Sequence, residues 1–113
     1  MANTFKTITK AGVTSLDTIY TVASSTTAVV LGLVLGNTTS SSVTATVTLS
    51  SDTANRAGAN NEANQDVEII TNAPIPSASS LSVLDGKIIM ETTDVLKVSA
   101  SGATDVILSV MEQ

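Results

Sequence analysis

The longest apolar run in the chain, TAVVLGLVLGN at Thr27–Asn37, alternates bulky with small side chains. Successive side chains of a strand point to opposite faces, so the run predicts a strand with one bulky and one small face. The bulky face is expected in the core and carries Val29, Leu31, Leu33 and Leu35. The small face is still apolar and carries Ala28, Val30, Gly32, Val34 and Gly36. Because so short a chain has few other segments to cover it, we expect a partner subunit there.

The two-residue period recurs elsewhere in the chain. VTATVTLS at Val43–Ser50 alternates strictly between apolar residues and Thr or Ser, the strongest strand signal in the sequence. Charged residues make up 13% of the chain, about half of the usual ~25%. Thr, which is β-branched and favours strands, is abundant in their place. No stretch has a helical period, so the sequence predicts an all-β chain.

Turn signals divide the chain into about eight short strands, a spacing typical of sandwiches and barrels. We therefore predict a single antiparallel β-sandwich, jelly-roll or immunoglobulin-like, over residues 1–113. Residues 1–12 are expected to form an N-terminal arm or edge strand, and residues 51–65 a long loop. Asp85-Gly86 between two apolar stretches predicts a β-hairpin. The predicted core consists of Ile19, Val22, Val29, Leu31, Leu33, Leu35, Val43, Val47, Leu49, Ile69, Leu81, Val83, Ile88, Leu96, Val98, Val106, Leu108 and Val110.

The composition argues against several classes of function. Phe5 and Tyr20 are the only aromatic residues, too few for a platform that stacks sugars or bases. A net charge of −5 with five Lys and Arg residues disfavours binding to nucleic acid or to an anionic membrane. The chain contains no Cys and no His, so the commonest general base and metal ligands are missing. We expect no enzymatic activity, no cofactor and no metal site.

Two segments allow other interpretations. Residues 60–66 contain oxygen ligands that could suit calcium, but their spacing differs from that of known calcium loops, so a solvated insertion loop is the simpler interpretation. The first residues, MANTFKTITKAGV, lack the apolar stretch of a signal peptide, and Ala28–Gly36 is shorter than the ~20 residues that a membrane span needs. A soluble protein made in the cytoplasm is therefore expected.

Two stretches resemble a known group of proteins. Thr18–Thr39, TIYTVASSTTAVVLGLVLGNTT, resembles the opening of small virion proteins of tailed bacteriophages of the cyanophage and marine-phage type. Asn72–Ala100, NAPIPSASSLSVLDGKIIMETTDVLKVSA, resembles their second half, with a Pro-containing turn, a Leu-Asp-Gly turn and a Val/Leu strand. The resemblance implies a β-sandwich structural subunit of a phage particle.

The resemblance leaves several roles open. The first is a capsid decoration (cement) protein that binds the outer shell, bridges major capsid subunits and stabilises the head. The others are a neck or tail component of the virion and a small non-catalytic binding module. The implied partners are the major capsid protein or other virion subunits. Decoration proteins are often trimers, so a homo-oligomer, trimeric by analogy, is expected in the virion after synthesis in the host cytoplasm.

The sequence also indicates where such a subunit would attach. The small face of the central strand and the anchors of the N-terminal arm lack an obvious internal partner, and Ile75 lies between two prolines as an apolar knob. Large exposed apolar patches on a soluble protein usually mark an interface. The predicted interface residues are Phe5, Ile8, Val30, Val34 and Ile75.

Overall fold

A computed structural model of the chain describes residues 3–52 and 65–113. All the regular secondary structure in these ranges is β-strand. The long loop predicted at residues 51–65, with its calcium alternative, lies mostly outside these described ranges. The described residues contain no helix able to cross a membrane. The strands are β1 (Thr4–Val13), β2 (Asp17–Thr21), β3 (Ala28–Asn37), β4 (Val43–Ser50), β5 (Asp66–Ile75), β6 (Ser80–Ser82), β7 (Ile88–Met90), β8 (Val95–Ala100) and β9 (Thr104–Glu112).

The strands form two antiparallel sheets. In the first sheet the order is β1-β9-β3-β6, and β7 also pairs with β3. The second sheet has the order β2-β8-β4-β5. The prediction of an antiparallel β-sandwich is confirmed.

The pairing scheme distinguishes between the two predicted topologies. The first strand pairs with the last, β2 with β8, β3 with β6 and β7, and β4 with β5. This nesting of outer pairs around inner pairs is the arrangement of a jelly roll. The chain is therefore a jelly roll and not an immunoglobulin-like sandwich.

The hairpin predicted at Asp85-Gly86 is wrong. β6 and β7 both run antiparallel to β3, with Leu81 opposite Leu35 and Ile89 opposite Val29. They are therefore two collinear pieces of one interrupted strand, joined by residues 83–87. Counted together, they bring the total to the eight strands of a jelly roll.

The core lies between the sheets, and it contains most of the residues predicted for it. Leu49, Ile69, Leu81, Val83 and Ile88 are partly buried against it. Sequence reasoning left out several buried residues, which are Val13, Tyr20, Ala28, Val30, Ala45, Ile75, Met90 and Ala100.

Val29 and Leu31 were predicted in the core, and both predictions are wrong. Leu31 is an extra residue in β3, because Val30 pairs with Val110 whereas Gly32 pairs with Ser109. Such a β-bulge turns consecutive residues to the same side and reverses the alternation beyond it. Before the bulge Ala28 and Val30 point inward, and after it Leu33 and Leu35 do. Val29 is consequently half-buried on the outer side, and Leu31 is exposed.

Candidate interface on the outer face of the first sheet

Four apolar side chains form a row across the outer face of the first sheet. Phe5 of β1 lies opposite Met111 of β9, and Met111 lies opposite Val29 of β3. Val29 in turn lies opposite Ile89 of β7. Residues directly opposite one another in antiparallel strands share a face, so these side chains are neighbours in a line across the strands.

A second apolar group lies farther along the same face. Ile107 of β9 is opposite Val34 of β3, and the bulge brings Leu31 to this side between the two groups. We call the surface formed by both groups the outer apolar face. Its members are Phe5, Val29, Leu31, Val34, Ile89, Ile107 and Met111.

Five of the seven side chains of the outer apolar face are exposed, and none of the seven is charged. Phe5 is 72% exposed, Ile89 64% and Ile107 49%. The paired outward positions between the Phe5 row and the Ile107 row are otherwise filled by uncharged residues, which are Thr7, Thr9, Gly32, Ser82 and Ser109. A largely apolar surface whose paired positions carry no charge resembles the core of a protein–protein interface. Covering one such side chain fully is worth roughly 1.5–3 kcal/mol.

The structure separates the five predicted interface residues. Phe5 and Val34 lie on the outer apolar face. Ile8 points inward, opposite Leu108, and is half-buried against the core. Val30 and Ile75 are fully buried, so in the folded subunit they are not available to a partner.

The burial of Ile75 has a local cause. Ile75 ends β5 opposite Val43, the first residue of β4, and its side chain packs between the two sheets. Its carbonyl accepts a hydrogen bond of 2.9 Å from Nδ2 of Asn37. The segment between the two prolines therefore places its apolar side chain in the core and not at the surface.

The N-terminal segment is an edge strand in this structure. Thr4–Lys10 pairs with β9 without a register shift, and the shift comes between Lys10 and Val13. Gly12 lies there with φ +66°, and its N–H donates a 3.0 Å hydrogen bond to Oδ1 of Asp105. Glycine adopts this left-handed conformation without strain, so it suits the irregular step.

A charged cluster joins the two sheets next to the β1 edge. The Tyr20 hydroxyl on β2 donates a hydrogen bond to Oε2 of Glu112 on β9, and Nζ of Lys6 lies 2.8 Å from Oε1. The ion pair with Lys6, and then the hydrogen bond from Tyr20, lower the pKa of Glu112. Burial, and then the hydrogen bond and charge of Glu112, raise the pKa of Tyr20.

Asn37 is a buried polar residue that organises the opposite end of the sandwich. Its Nδ2 donates to the carbonyls of Ser41, Ile75 and Pro76, at 2.8, 2.9 and 3.2 Å. Its Oδ1 accepts from the backbone N–H and the hydroxyl of Thr39, at 2.8 and 2.7 Å. Sequence reasoning missed this role, because nothing in the pattern shows that the end of β3 meets the end of β5.

The described residues contain no group of three or more acidic side chains placed to hold a metal ion. One buried carboxylate instead has a structural role in a turn. Asp94 is buried, and its carboxylate accepts hydrogen bonds from the N–H groups of Glu91 at 2.9 Å and Asp52 at 3.2 Å. This carboxylate therefore fixes the turn before β8 to the end of β4.

Comparisons with known proteins show the fold and no family. No protein-family profile and no curated protein sequence matches the chain. Among solved structures, the chain is similar to the Bacillus endospore appendage, described as a family of disulfide-linked pili, at 16% identity and a TM-score of 0.50. That match covers 98% of this chain and 85% of the pilus chain.

Two further similar structures come from infectious bursal disease virus. The Gx strain structure matches at 11% identity and a TM-score of 0.56, with 97% of this chain and 32% of the viral chain covered. The T13 particle of the same virus matches at 11% identity and a TM-score of 0.47, covering 97% of this chain and 35% of that one. The chain thus spans about a third of each viral chain. At such identities the Gx match supports the shared fold, and none of the three structures is of a tailed phage.

Proposed function

We propose that the chain is a structural subunit of a phage virion and acts as a capsid decoration protein. The observation that carries this proposal is the outer apolar face, a broad uncharged surface on one sheet of a jelly roll. In the proposed role this face binds a matching apolar surface on the outer shell, adds buried area between neighbouring capsid subunits and so stabilises the head. The fold shared with the bursal disease virus Gx strain and the resemblance of Thr18–Thr39 and Asn72–Ala100 to phage virion proteins support it.

The proposed role is structural and not catalytic. A Ser or Thr nucleophile needs a neighbouring base, and the sequence contains no His. The likeness to the endospore pilus supports no disulfide-linked filament, because this chain contains no Cys. A neck or tail position is the alternative within the virion.

Two measurements test the proposal. The first is the copy number of the chain in purified virions, by quantitative mass spectrometry against the major capsid protein. Hundreds of copies are expected for a decoration protein, whereas about six or twelve would indicate a neck or tail component, since those parts have low rotational symmetry. Absence of the chain from virions contradicts the proposal.

The second measurement tests the surface. Ile89→Lys and Ile107→Lys each place a charge on the outer apolar face, and both side chains are exposed, so the subunit should still fold. We expect these variants to lose binding to particles that lack the chain. Thr44→Lys, an exposed position on β4 of the second sheet, is the matched control and should bind normally. Full occupancy by the Ile89 and Ile107 variants contradicts attachment through this face.

A further inference from the structure

The sandwich has four sheet edges, and three of them are irregular. β2 has a register shift between Thr18 and Tyr20. β5 contains two register shifts along β4 and a proline at Pro74. The edge formed by β6 and β7 is interrupted at residues 83–87. Bulges, prolines and short strands are the means by which proteins prevent their edges from pairing with other chains.

The β1 edge has its register shift only near its end, between Lys10 and Val13, and is regular before it. From Thr4 to Lys10, seven successive residues pair with β9 without a shift and without a proline. In the described part of the chain, the backbone hydrogen bonds of these residues are those of the ladder with β9. Alternate N–H and C=O groups along the other side of β1 are therefore open, which makes this edge a template for another strand.

We infer that two copies of this chain pair through β1, antiparallel and across a two-fold axis, with Thr7 opposite Thr7 of the second copy. A two-fold axis perpendicular to the sheet keeps outer residues opposite outer residues. Thr7 is an outer residue, exposed, and opposite Ser109 on its own sheet. The pairing is isologous, so one strand supplies both halves of the contact.

The lysines of β1 exclude the two neighbouring registers, and Thr7 is the centre of the regular stretch Thr4–Lys10, so an axis there pairs all seven residues. Lys6 and Lys10 are both inner-face residues, opposite Val110 and Val106. An axis at Ile8 would place Lys6 opposite Lys10 of the second copy, and an axis at Lys6 would place Lys6 opposite itself. Like charges directly opposite one another destabilise a strand pair. An axis at Thr7 instead places Lys6 opposite Ile8 and Lys10 opposite Thr4, which avoids both repulsions.

Lysine on an edge strand commonly opposes pairing, but the contacts of Lys6 limit that effect here. Its Nζ lies 2.8 Å from Oε1 of Glu112 in the same chain, so its charge is compensated within the subunit. The outer positions of the strand, Phe5, Thr7 and Thr9, carry no charge. Pairing at Thr7 would therefore join the two outer apolar faces into one uncharged surface on a continuous sheet.

Cysteine cross-linking tests the register directly, because the chain has no cysteine of its own. Thr7→Cys places two thiols opposite each other across the axis, at the ~4.5–5.5 Å Cβ separation of a cross-strand pair. Thr9→Cys, on the same exposed face, is the matched control. Its thiol lies opposite Phe5, four residues or about 13 Å from the equivalent thiol. Mild oxidation should convert Thr7→Cys to covalent dimer and leave Thr9→Cys monomeric.

Sedimentation of the purified chain tests the pair without cross-linking. The unmodified chain should sediment at twice its mass of 11.5 kDa. Thr7→Lys should sediment as a monomer, because it places two like charges opposite each other. Ser82→Lys, at an exposed position on the opposite edge, should remain dimeric.

Three outcomes would overturn the inference: a monomeric unmodified chain, a trimer that Thr7→Lys leaves intact, and equal cross-linking of the two cysteine variants. Circular dichroism of each variant separates loss of pairing from loss of folding. The inference does not rest on the virion role, since all these measurements use the isolated chain. A dimer found for a chain that is absent from virions would support the pairing and contradict the proposed function.

Discussion

The Tyr20 hydroxyl donates its hydrogen bond across the sandwich, from β2 in the second sheet to the Glu112 carboxylate on β9 in the first. Lys6 on β1 holds the other oxygen of the same carboxylate at 2.8 Å. One carboxylate thus ties three strands together at the side where the edge strands β1 and β2 lie.

This cluster predicts that stability depends on pH. The pKa of Glu112 is lowered from its ordinary 4.5 by Lys6 and then by Tyr20. The folded state therefore gains stability above the unfolded value of 4.5, and it loses that stability as the pH falls through the lower folded value. We expect Glu112→Gln to unfold at a lower denaturant concentration than the unmodified chain at pH 7. At acidic pH the two proteins should unfold at similar denaturant concentrations.

Urea unfolding of both proteins over a series of pH values measures this effect. Asp85→Asn, an exposed substitution in the loop between β6 and β7, is the control and should follow the unmodified chain. If the difference in unfolding denaturant concentration between the two proteins stays the same at acidic pH, Glu112 acts by packing alone.

Substitutions of Asn37 that remove or reverse its hydrogen bonds should destabilise the fold. Asn37→Asp replaces a donor to three carbonyls with a second acceptor, and Asn37→Ala removes donor and acceptor together. Leaving buried carbonyls unpaired costs about 1–3 kcal/mol, and the repulsion in the aspartate variant adds to it. Thermal unfolding should rank Asn37→Asp below Asn37→Ala, and both below Ser40→Ala, a control at an exposed position in the same turn.

Asp94 should contribute to stability through the turn that it fixes. Asp94→Ala leaves the N–H groups of Glu91 and Asp52 without this acceptor, at a position that is 1% exposed. We expect a loss of about 1–3 kcal/mol in the free energy of unfolding. Asp85→Ala removes a carboxylate from an exposed turn, so denaturant titration should find little change for it. Equal losses for the two variants would assign the effect to net charge.

Gly102 is predicted to matter because of Val43. A Cβ at Gly102 would lie 2.7 Å from Cγ1 of Val43, a buried and β-branched side chain with little freedom to move. Gly102→Ala should therefore cost about 1–3 kcal/mol through overpacking. Gly86→Ala is the matched control, because nothing lies within 4 Å of its added Cβ.

A double-mutant cycle separates this contact from other effects of the alanine. Val43→Ala removes the methyl group that clashes, so Gly102→Ala should cost less in that background than in the unmodified chain. If the cost is the same in both backgrounds, the clash with Val43 is not the cause.

The sequence correctly predicted strands in which the side chains alternate regularly. It did not predict which residues face the core where a bulge breaks the alternation. The strand β4 was recognised because apolar residues recur there at every second position, and β3 because it is the longest apolar run and alternates bulky with small side chains. The bulge at Leu31 has no sequence signal, since an extra residue in a uniformly apolar run changes no letter of the pattern. Because of this one extra residue, Val30 faces the core and Val29 faces outward, the reverse of the prediction. The predicted interface therefore included Val30, which is a core residue.

The other errors have a common cause in long-range pairing. Asp85-Gly86 is compatible with a hairpin, and only the register against β3 shows that the flanking pieces are collinear. The candidate interface was predicted in part, because Phe5 and Val34 look unpartnered in the sequence. Ile89, Ile107 and Met111 join that surface only through the pairing of four strands, which a single sequence does not show.

The break between β6 and β7 has a practical consequence. Val83 still donates its backbone N–H to the Leu33 carbonyl at 2.9 Å, and residues 84–87 then leave the ladder with β3 and return to it in line. Extra residues placed between Asp85 and Gly86 would therefore lengthen this detour and leave both paired segments in place. Asp85, Gly86 and Lys87 are exposed, so the added segment would extend into solvent. Lengthening a surface loop carries only a small entropic penalty. This edge is therefore a natural point for grafting a foreign epitope onto the protein.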